Sequence, residues 1–341
     1  GGAGNDTMIG GTAINSFYVN HSTYGGSAAD SIVANGTADI LYYTAETAAL
    51  SIDLSTNAVA GGGLGDDTLT GTFERFYSGS GNDTINGNAS NNFLWGYAGD
   101  DSISGGDGTD NINGGAGADT LAGGNGTDTV DYSTSTTAVT VDLANNTASG
   151  GEAQGDVISG FENAEGGTAG DVLTGASGAN SLIGNNGNDT LNGGAGGQDT
   201  LDGGAGNDML HIDGTSLLIA GTTVNGGADT DTVVITPNSG WSFSAAQLDA
   251  AINNVEVINF RESSINANIT LSASDIIGMT EATGNQLTTN HLDILINGGD
   301  NILIDAGSFY SSTSDGSGTH YTFYDDGSHT TQIAHLDVLT A

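Results

Sequence analysis

The chain of 341 residues contains no cysteine, no lysine and a single proline, and its only arginines are Arg75 and Arg261. Without cysteine it can form neither a disulfide framework nor a zinc–thiolate site. The chain has two arginines and 41 acidic residues, so its formal net charge is −39. The sequence therefore contains no basic patch for binding nucleic acid or an anionic membrane. No run of 18 apolar residues occurs, so the sequence predicts no transmembrane helix.

The excess of negative charge also bears on folding. Carboxylates repel one another in a compact state, and a chain of high net charge and modest hydrophobicity favours disorder until that charge is neutralised. Bound divalent cations would neutralise it, which would make metal binding and folding one event.

Glycine is abundant, at 58 residues, and much of it lies in a nine-residue repeat. Each unit has two glycines, a variable residue, a glycine, a variable residue, an acid and, at position eight, an apolar residue. Two blocks of these units occupy residues 78–131 and 166–211, with single copies at 1–9 and 226–234. One unit of the second block, which ends at Asp202, has ten residues instead of nine.

The repeat predicts a shape. Its glycines allow left-handed backbone and close approach, so six residues can form a loop whose carbonyl oxygens point to one side. The next three residues form a short strand with position eight inward, and two units make one turn of a flattened coil in which repeat n lies over repeat n+2. The inward residues of the first block are then Ile85, Leu94, Ile103, Ile112, Leu121 and Val130.

The same stacking predicts metal sites. The acid at position six of each loop approaches the carbonyls of the loop stacked above it, and a hard cation with six to eight oxygen ligands at about 2.3–2.6 Å fits that space. Calcium is favoured over magnesium, which requires a tighter octahedron. Units with Asn in place of Asp are expected to bind more weakly, and the ten-residue unit to distort its site. The candidate ligands are Asp6, Asp83, Asn92, Asp101, Asp110, Asp119, Asp128, Asp171, Asn180, Asp189, Asp199, Asp208 and Asp231.

These repeats resemble those of the RTX (repeats-in-toxin) group of secreted bacterial proteins. The resemblance implies an all-β fold, a parallel β-roll or β-helix solenoid that binds several calcium ions. It also implies type I secretion to the exterior of a Gram-negative-type bacterium, where millimolar calcium would keep weak sites filled. The same roll accompanies proteases, lipases, cytolysins, epimerases, adhesins and surface-layer proteins, so the resemblance implies no single activity.

A longer repeat is superimposed on the nonapeptides. Residues 36–85 align with 126–173, and both contain stretches in which apolar and polar residues alternate, as expected of strands. We therefore expect segments 12–77 and 132–165 to form wider, strand-rich turns of the same solenoid.

The repeats fade towards the C-terminus. We expect residues 1–211 to form the solenoid and 212–341 to form a degenerate repeat followed by a β-rich C-terminal cap or secretion region. A cap would cover the unpaired strand edges at the end of a solenoid. Short helices are predicted at 244–251 and 272–278. Short strands are predicted at 294–296, 302–304 and 321–324.

No serine or cysteine nucleophile elbow and no zinc-protease HExxH motif occurs, so we expect this chain not to be an enzyme. The favoured interpretation is a structural, self-associating protein of the cell surface, either a surface layer or an adhesin. One alternative is the secretion and folding module of a secreted enzyme. The other is a glycan-binding module that uses an aromatic strip of Tyr42, Tyr43, Phe93, Trp95 and Tyr97.

Overall fold

The structure is a computed structural model. It describes residues 5–19, 29–36, 38–61, 67–217, 219–236 and 251–259, with backbone alone at 214–215. Backbone strands are also described at 242–244, 268–271, 291–296, 301–304, 310–314, 318–324 and 332–340. The predicted helix at 272–278, and all of the predicted helix at 244–251 except its two end residues, lie outside these ranges. The chain divides into two compact units, Gly1–Gly166 and Gly167–Ala341.

The first unit consists of two stacks of short strands, with a single 3₁₀ turn described at Gly151–Ala153. The first stack contains β1 (Thr7–Ile9), β3 (Ser31–Val33), β5 (Leu50–Asp53), β6 (Ala58–Gly61), β7 (Asp67–Thr70), β9 (Thr84–Asn86), β11 (Ser102–Gly108), β13 (Thr120–Gly126), β15 (Thr140–Asp142), β16 (Thr147–Ser149) and β17 (Val157–Ser159). The second stack contains β2 (Ser16–Tyr18), β4 (Asp39–Tyr42), β8 (Phe73–Tyr77), β10 (Phe93–Trp95), β12 (Asn111–Asn113), β14 (Thr129–Asp131) and β18 (Asn163–Glu165).

Pairing within the stacks confirms the predicted fold class. Ile85 is the parallel register partner of Ile103, and Leu94 is the partner of Ile112, so repeat n lies over repeat n+2. The position-eight side chains of the first block are at most 2 % exposed. They form a core one layer thick between the two stacks, in which each turn gains stability from its neighbours.

Two turns of the first unit are wider because each carries an extra antiparallel strand. In one, β6 pairs antiparallel with β5 and β7; in the other, β16 pairs antiparallel with β15 and β17. The outer strands of the first antiparallel segment remain part of the solenoid, since β7 is parallel to β3 and β5 is parallel to β9. These hairpin-bearing turns correspond to the two aligned copies of the longer sequence repeat.

The second unit repeats this construction. Its first stack contains β19 (Val172–Thr174), β21 (Thr190–Asn192), β23 (Met209–Asp213), β25 (Thr232–Thr236), β28 (Val257–Asn259), β30 (His291–Ile296), β32 (Tyr310–Ser314), β33 (Gly318–Tyr324) and β34 (Gln332–Thr340). Its second stack contains β20 (Ser181–Ile183), β22 (Thr200–Ala205), β24 (Thr223–Ala228) and β27 (Ile252–Asn253). A three-stranded parallel sheet contains β26 (Ser242–Ser244), β29 (Asn268–Leu271) and β31 (Asn301–Ile304), and one helical turn, α1, spans Gly214–Leu217.

Parallel stacking continues beyond the second nonapeptide block. β23 pairs with β25, β25 with β28, and β28 with β30, all parallel, whereas β32, β33 and β34 form an antiparallel meander. The three strands predicted at 294–296, 302–304 and 321–324 are confirmed within β30, β31 and β33. The boundary placed at residue 212 stays a prediction.

Aromatic side chains stack along the outer face of the second stack in the first unit. The ring centroids of Tyr18 and Tyr42 are 4.5 Å apart with planes 3° from parallel, and those of Tyr42 and Tyr77 are 4.7 Å apart at 13°. The stack continues to Trp95, 5.6 Å from Tyr77. Tyr43, assigned to the same strip from the sequence, is fully buried, so this part of the prediction is wrong. Successive residues of an extended chain point to opposite faces, which separates Tyr43 from Tyr42.

The inward row predicts which leucines carry stability. Replacing the buried Leu121 by Ala should lower the free energy of unfolding in saturating calcium by about 2–5 kcal/mol, because it leaves a cavity in a one-layer core. The matched control is Val157→Ala in the neighbouring strand, since Val157 is 59 % exposed and should change stability by less than about 1 kcal/mol. Urea unfolding measures both, and equal losses would contradict the assignment of inward and outward faces.

Candidate metal sites

Many of the glycine-rich loops adopt left-handed backbone at their second position. Gly106 and Gly115 have φ values of +110° and +88° there. Tyr97 and Asn185 occupy the same position in their units and keep left-handed values of +69° and +72° despite their side chains. Glycine is the residue that adopts this conformation without strain. Asn88 and Ala176, at the same position of other loops, do not adopt it.

Many position-six side chains accept a hydrogen bond from the loop stacked below them. The backbone N–H of Asp83 donates to Asp101 Oδ1 at 2.7 Å, and the N–H of Asp101 donates in turn to Asp119 Oδ1 at 2.8 Å. We call this series of stacked side chains the acid ladder, and each such hydrogen bond with its two loops a rung. Further rungs join Asn92 to Asp110, Asp110 to Asp128, Asp171 to Asp189, Asn180 to Asp199, Asp189 to Asp208 and Asp208 to Asp231. Asp6 donates to Asp30 Oδ1 at 2.9 Å.

The ladder includes acids that the nonapeptide pattern did not reveal. The N–H of Asp119 donates to Asp156 Oδ1, and those of Asp128 and Asp231 donate to glutamate oxygens. In total, six acids outside the predicted set accept a backbone N–H in the same way: Asp30, Asp39, Asp67, Asp156, Glu162 and Glu256. They share one signal with the repeats, an acid placed two residues before an inward apolar residue.

In several aspartate rungs the second carboxylate oxygen is buried and accepts no hydrogen bond, whereas in Asp83 and Asp171 it accepts the N–H of Gly79 and Gly167 of the same loop. Asp101 Oδ2 is buried and accepts none. It lies beside Gly96, the first glycine of its own loop, where a Cβ would clash with both Asp101 Oδ2 and the carbonyl oxygen of Gly114 in the loop above. We call this space a glycine notch. The same unpartnered oxygen occurs in Asp110, Asp119, Asp128, Asp189, Asp208 and Asp231.

The notches recur with the same chemistry. Beside Gly105 they bring together Asp110 Oδ2 and the carbonyl oxygen of Gly123, and beside Gly184 they bring together Asp189 Oδ2 and that of Gly203. A buried anionic oxygen without a donor is costly unless a cation faces it. Carboxylate and carbonyl oxygens are the ligands that calcium prefers, so the residues present fit a calcium ion.

Backbone carbonyls are needed to complete any such site. Among the residues with described side chains, no three His, Asp or Glu side chains converge on one point. A site built from one carboxylate of each loop must therefore take its remaining oxygens from the stacked backbone, as the convergence of Asp101 Oδ2 with Gly114 O illustrates.

The two asparagine units differ from the aspartate units. Asn92 Oδ1 accepts the N–H of Asn88 in its own loop at 2.7 Å, and Asn180 Oδ1 accepts that of Ala176 at 2.9 Å. The oxygen that is unpartnered in Asp101 is thus satisfied by the protein itself in these units, as it also is in Asp83 and Asp171. This arrangement agrees with weaker metal binding there, which stays a prediction.

The ten-residue unit also departs from the others. The rung from Asn180 to Asp199 measures 3.1 Å, longer than its neighbours. The extra residue is taken up in the loop, where Gly196 and Gly197 have φ values of +78° and +100°. Asp199 therefore keeps its place in the ladder while the loop around it changes shape.

Burial shifts the ionisation of the ladder acids. Desolvation is the largest cause throughout; it raises the pKa of Asp101 to about 8 and the pKa values of Asp189 and Asp231 to about 7. It raises those of Asp110 and Asp208 to about 6. Backbone N–H donors oppose this effect, and neighbouring ladder carboxylates add to it. A divalent cation reverses the balance by favouring the charged form.

The fold and the ladder define a parallel β-roll with oxygen-lined notches suited to a hard cation. The family model of the RTX calcium-binding nonapeptide repeat, in four copies, matches residues 1–18, 77–112, 104–133, 165–197 and 195–210. The matched residues are therefore calcium-binding nonapeptide repeats of the RTX type. No curated protein sequence matches the chain. In the part of the chain that the structure describes, no helix has the length and apolar character needed to cross a membrane.

The raised pKa values predict how stability depends on pH. In chelator, the free energy of unfolding should fall as pH rises from about 4 to 8, because the unfolded carboxyls ionise near 3.9 and the folded ones only at about 6 to 8. With calcium the ladder acids bind as carboxylates, so the apparent affinity should rise over the same interval as protons are released. Denaturation at pH 5 and pH 8, with and without calcium, measures both trends. Stability in chelator that increases with pH would contradict this account.

Proposed function

We propose that the chain is the calcium-bound structural β-roll of a secreted cell-surface protein. The observation that carries the proposal is the row of buried, unpartnered Oδ2 atoms, each beside a glycine notch. Calcium, when bound, supplies two positive charges and accepts six to eight oxygen ligands. The residues of the chain hold those oxygens in place: each Oδ1 is fixed by a backbone N–H, which leaves Oδ2 directed at the notch.

The ladder ranks the predicted ligands. We assign the strongest sites to rungs in which an aspartate Oδ2 meets a carbonyl oxygen of the loop above. Those ligands are Asp101, Asp110, Asp128, Asp189, Asp208 and Asp231. We assign weaker sites to Asn92 and Asn180, which lack a charge and whose oxygens already accept a hydrogen bond. Asp6, Asp83, Asp119, Asp171 and Asp199 complete the proposed set.

The surrounding chemistry supports an extracellular location. RTX repeat proteins are typically secreted. Sites built largely from backbone carbonyls need calcium at the millimolar level found outside cells. Release into calcium would then couple folding to arrival at the exterior, since a chain of net charge −39 gains compactness only when its ladder is neutralised. Export by the type I route and presentation at the surface are parts of this proposal.

Self-association is the proposed role at the surface, as a layer or an adhesin. The aromatic stack gives less support to a glycan module. Tyr18, Tyr42 and Tyr77 lie face to face, so the faces that would contact a sugar ring are covered by one another. Arg75, the one cation in the part of the chain described, lies 5.7 Å from the Phe93 ring centroid in the same region. Any catalytic function would belong to a different part of a longer protein.

A matched pair of variants tests the calcium sites. Asp101→Asn should bind fewer calcium ions than the parent chain by isothermal titration, because it removes the charge from the Oδ2 that faces the notch. Its neighbour Asp100 is exposed, and Asp100→Asn removes the same charge while its Oδ1 can still accept the N–H of Ala118. The control should bind as many ions as the parent. Equal losses in the two variants would show that calcium responds to overall charge and not to the ladder.

The assembly proposal has its own test. Electron microscopy of the purified chain should show sheets or filaments in millimolar calcium and separate particles in chelator, because bound calcium lowers the repulsion between copies. Asp101→Asn should need more calcium to assemble, and Asp100→Asn should not. Monodisperse particles at high calcium would contradict self-association and leave calcium binding intact.

A further inference from the structure

The ladder changes its chemistry at the two hairpin-bearing turns. Tyr43 Oη donates a hydrogen bond to Asp67 Oδ2 at 2.6 Å, and Tyr132 Oη donates to Asp156 Oδ2 at 2.8 Å. At regular rungs such as Asp101 the corresponding Oδ2 accepts no hydrogen bond. Both tyrosines are fully buried.

The rest of each rung is unchanged. Asp67 Oδ1 accepts the N–H of Asp30, and Asp156 Oδ1 accepts the N–H of Asp119, both at 2.8 Å. These distances match those of the calcium-binding repeats. The difference at the two turns is therefore confined to the oxygen that faces the notch elsewhere.

Both tyrosines occupy the place of the first glycine of a loop. Tyr132 follows Asp131, the ninth residue of its unit, and its N–H donates to Glu165 O just as the N–H of Gly96 donates to Asn113 O. Gly96 precedes its notch acid by five residues, whereas Tyr132 precedes Asp156 by 24 because the hairpin lies between them. The phenol thus replaces the residue whose missing side chain creates the notch.

The turn holds each phenol in position. The N–H of Glu46 donates to the carbonyl of Tyr43, and the N–H of Ser135 donates to that of Tyr132, both at 2.9 Å. Identical contacts at two sites 89 residues apart show that the arrangement belongs to the hairpin-bearing turn and not to one local packing accident.

We infer that Tyr43 and Tyr132 take the place of calcium at these two rungs, so that the hairpin-bearing turns are metal-independent joints within a calcium-dependent roll. This inference rests on the proposed calcium sites of the regular rungs. A neutral phenol donates one hydrogen bond to the carboxylate oxygen that a cation would otherwise face. The two turns therefore bind no calcium, and they retain their local contacts at calcium concentrations that leave the nonapeptide blocks open.

Calcium stoichiometry tests the first half of the inference. Asp156→Asn should keep as many strong calcium sites as the parent chain, whereas Asp101→Asn should lose one, because asparagine leaves at most a weak site there. Loss of calcium from Asp156→Asn equal to that from Asp101→Asn would overturn the inference and leave the calcium function standing. If Asp101→Asn loses no calcium, the proposed function itself is wrong.

Hydrogen exchange tests the second half. In sub-saturating calcium, amides of the first hairpin-bearing turn should exchange more slowly than those of the block at 78–131. Tyr43→Phe should speed that local exchange by about tenfold through loss of one buried charge-assisted hydrogen bond, with the number of calcium ions unchanged. The matched control is Tyr42→Phe, the same change at the adjacent residue on the outer face, which should leave exchange of the turn unaltered. Equal exchange in the parent chain and Tyr43→Phe would overturn the inference.

Discussion

The structure depends on one electrostatic constraint, the burial of columns of carboxylates of like sign. Each ladder acid is fixed by a backbone N–H of the loop below it, so stacking the loops places successive carboxylates one strand spacing apart, about 4.7–4.9 Å. The chain has no lysine and only two arginines. Neutralisation must therefore come from outside the chain or from neutral donors within it, because desolvation makes an uncompensated buried carboxylate unstable.

The fold offers two environments for the second oxygen of a buried ladder carboxylate. In the nonapeptide blocks the first glycine of each loop leaves a notch into which one carboxylate oxygen and one carbonyl oxygen point, as beside Gly96 and Gly105. In the hairpin-bearing turns a buried tyrosine fills the equivalent place and donates to Asp67 or Asp156. On the proposal made above, the first arrangement makes stability depend on calcium, and the second does not. Segments of the first unit would then differ in their calcium requirement.

Much of this could be predicted from the sequence because the nonapeptide has a fixed length. A constant period sets the n over n+2 register, and with it the inward row from Ile85 to Val130 and the stacking of Asp83 on Asp101. The nine-residue period is interrupted where a hairpin separates the first loop residue from its acid. The ladder positions of Asp67 and Asp156 could therefore not be predicted from the repeat. Glu162 was missed because the longer glutamate reaches the ladder from outside any glycine loop. The role of Tyr43 depends on a contact between residues 24 apart that no periodic pattern contains.

Crystals grown in calcium offer the most direct test of the central claim, that the unpartnered ladder oxygens bind calcium. Anomalous diffraction should place ions within ligand distance of Asp101 Oδ2 and Asp189 Oδ2, each also in contact with a carbonyl oxygen of the loop above. The same map should show no ion between Tyr132 and Asp156. Notches filled only by water in a calcium-soaked crystal, with ions confined to exposed carboxylates such as Asp100, would contradict the account.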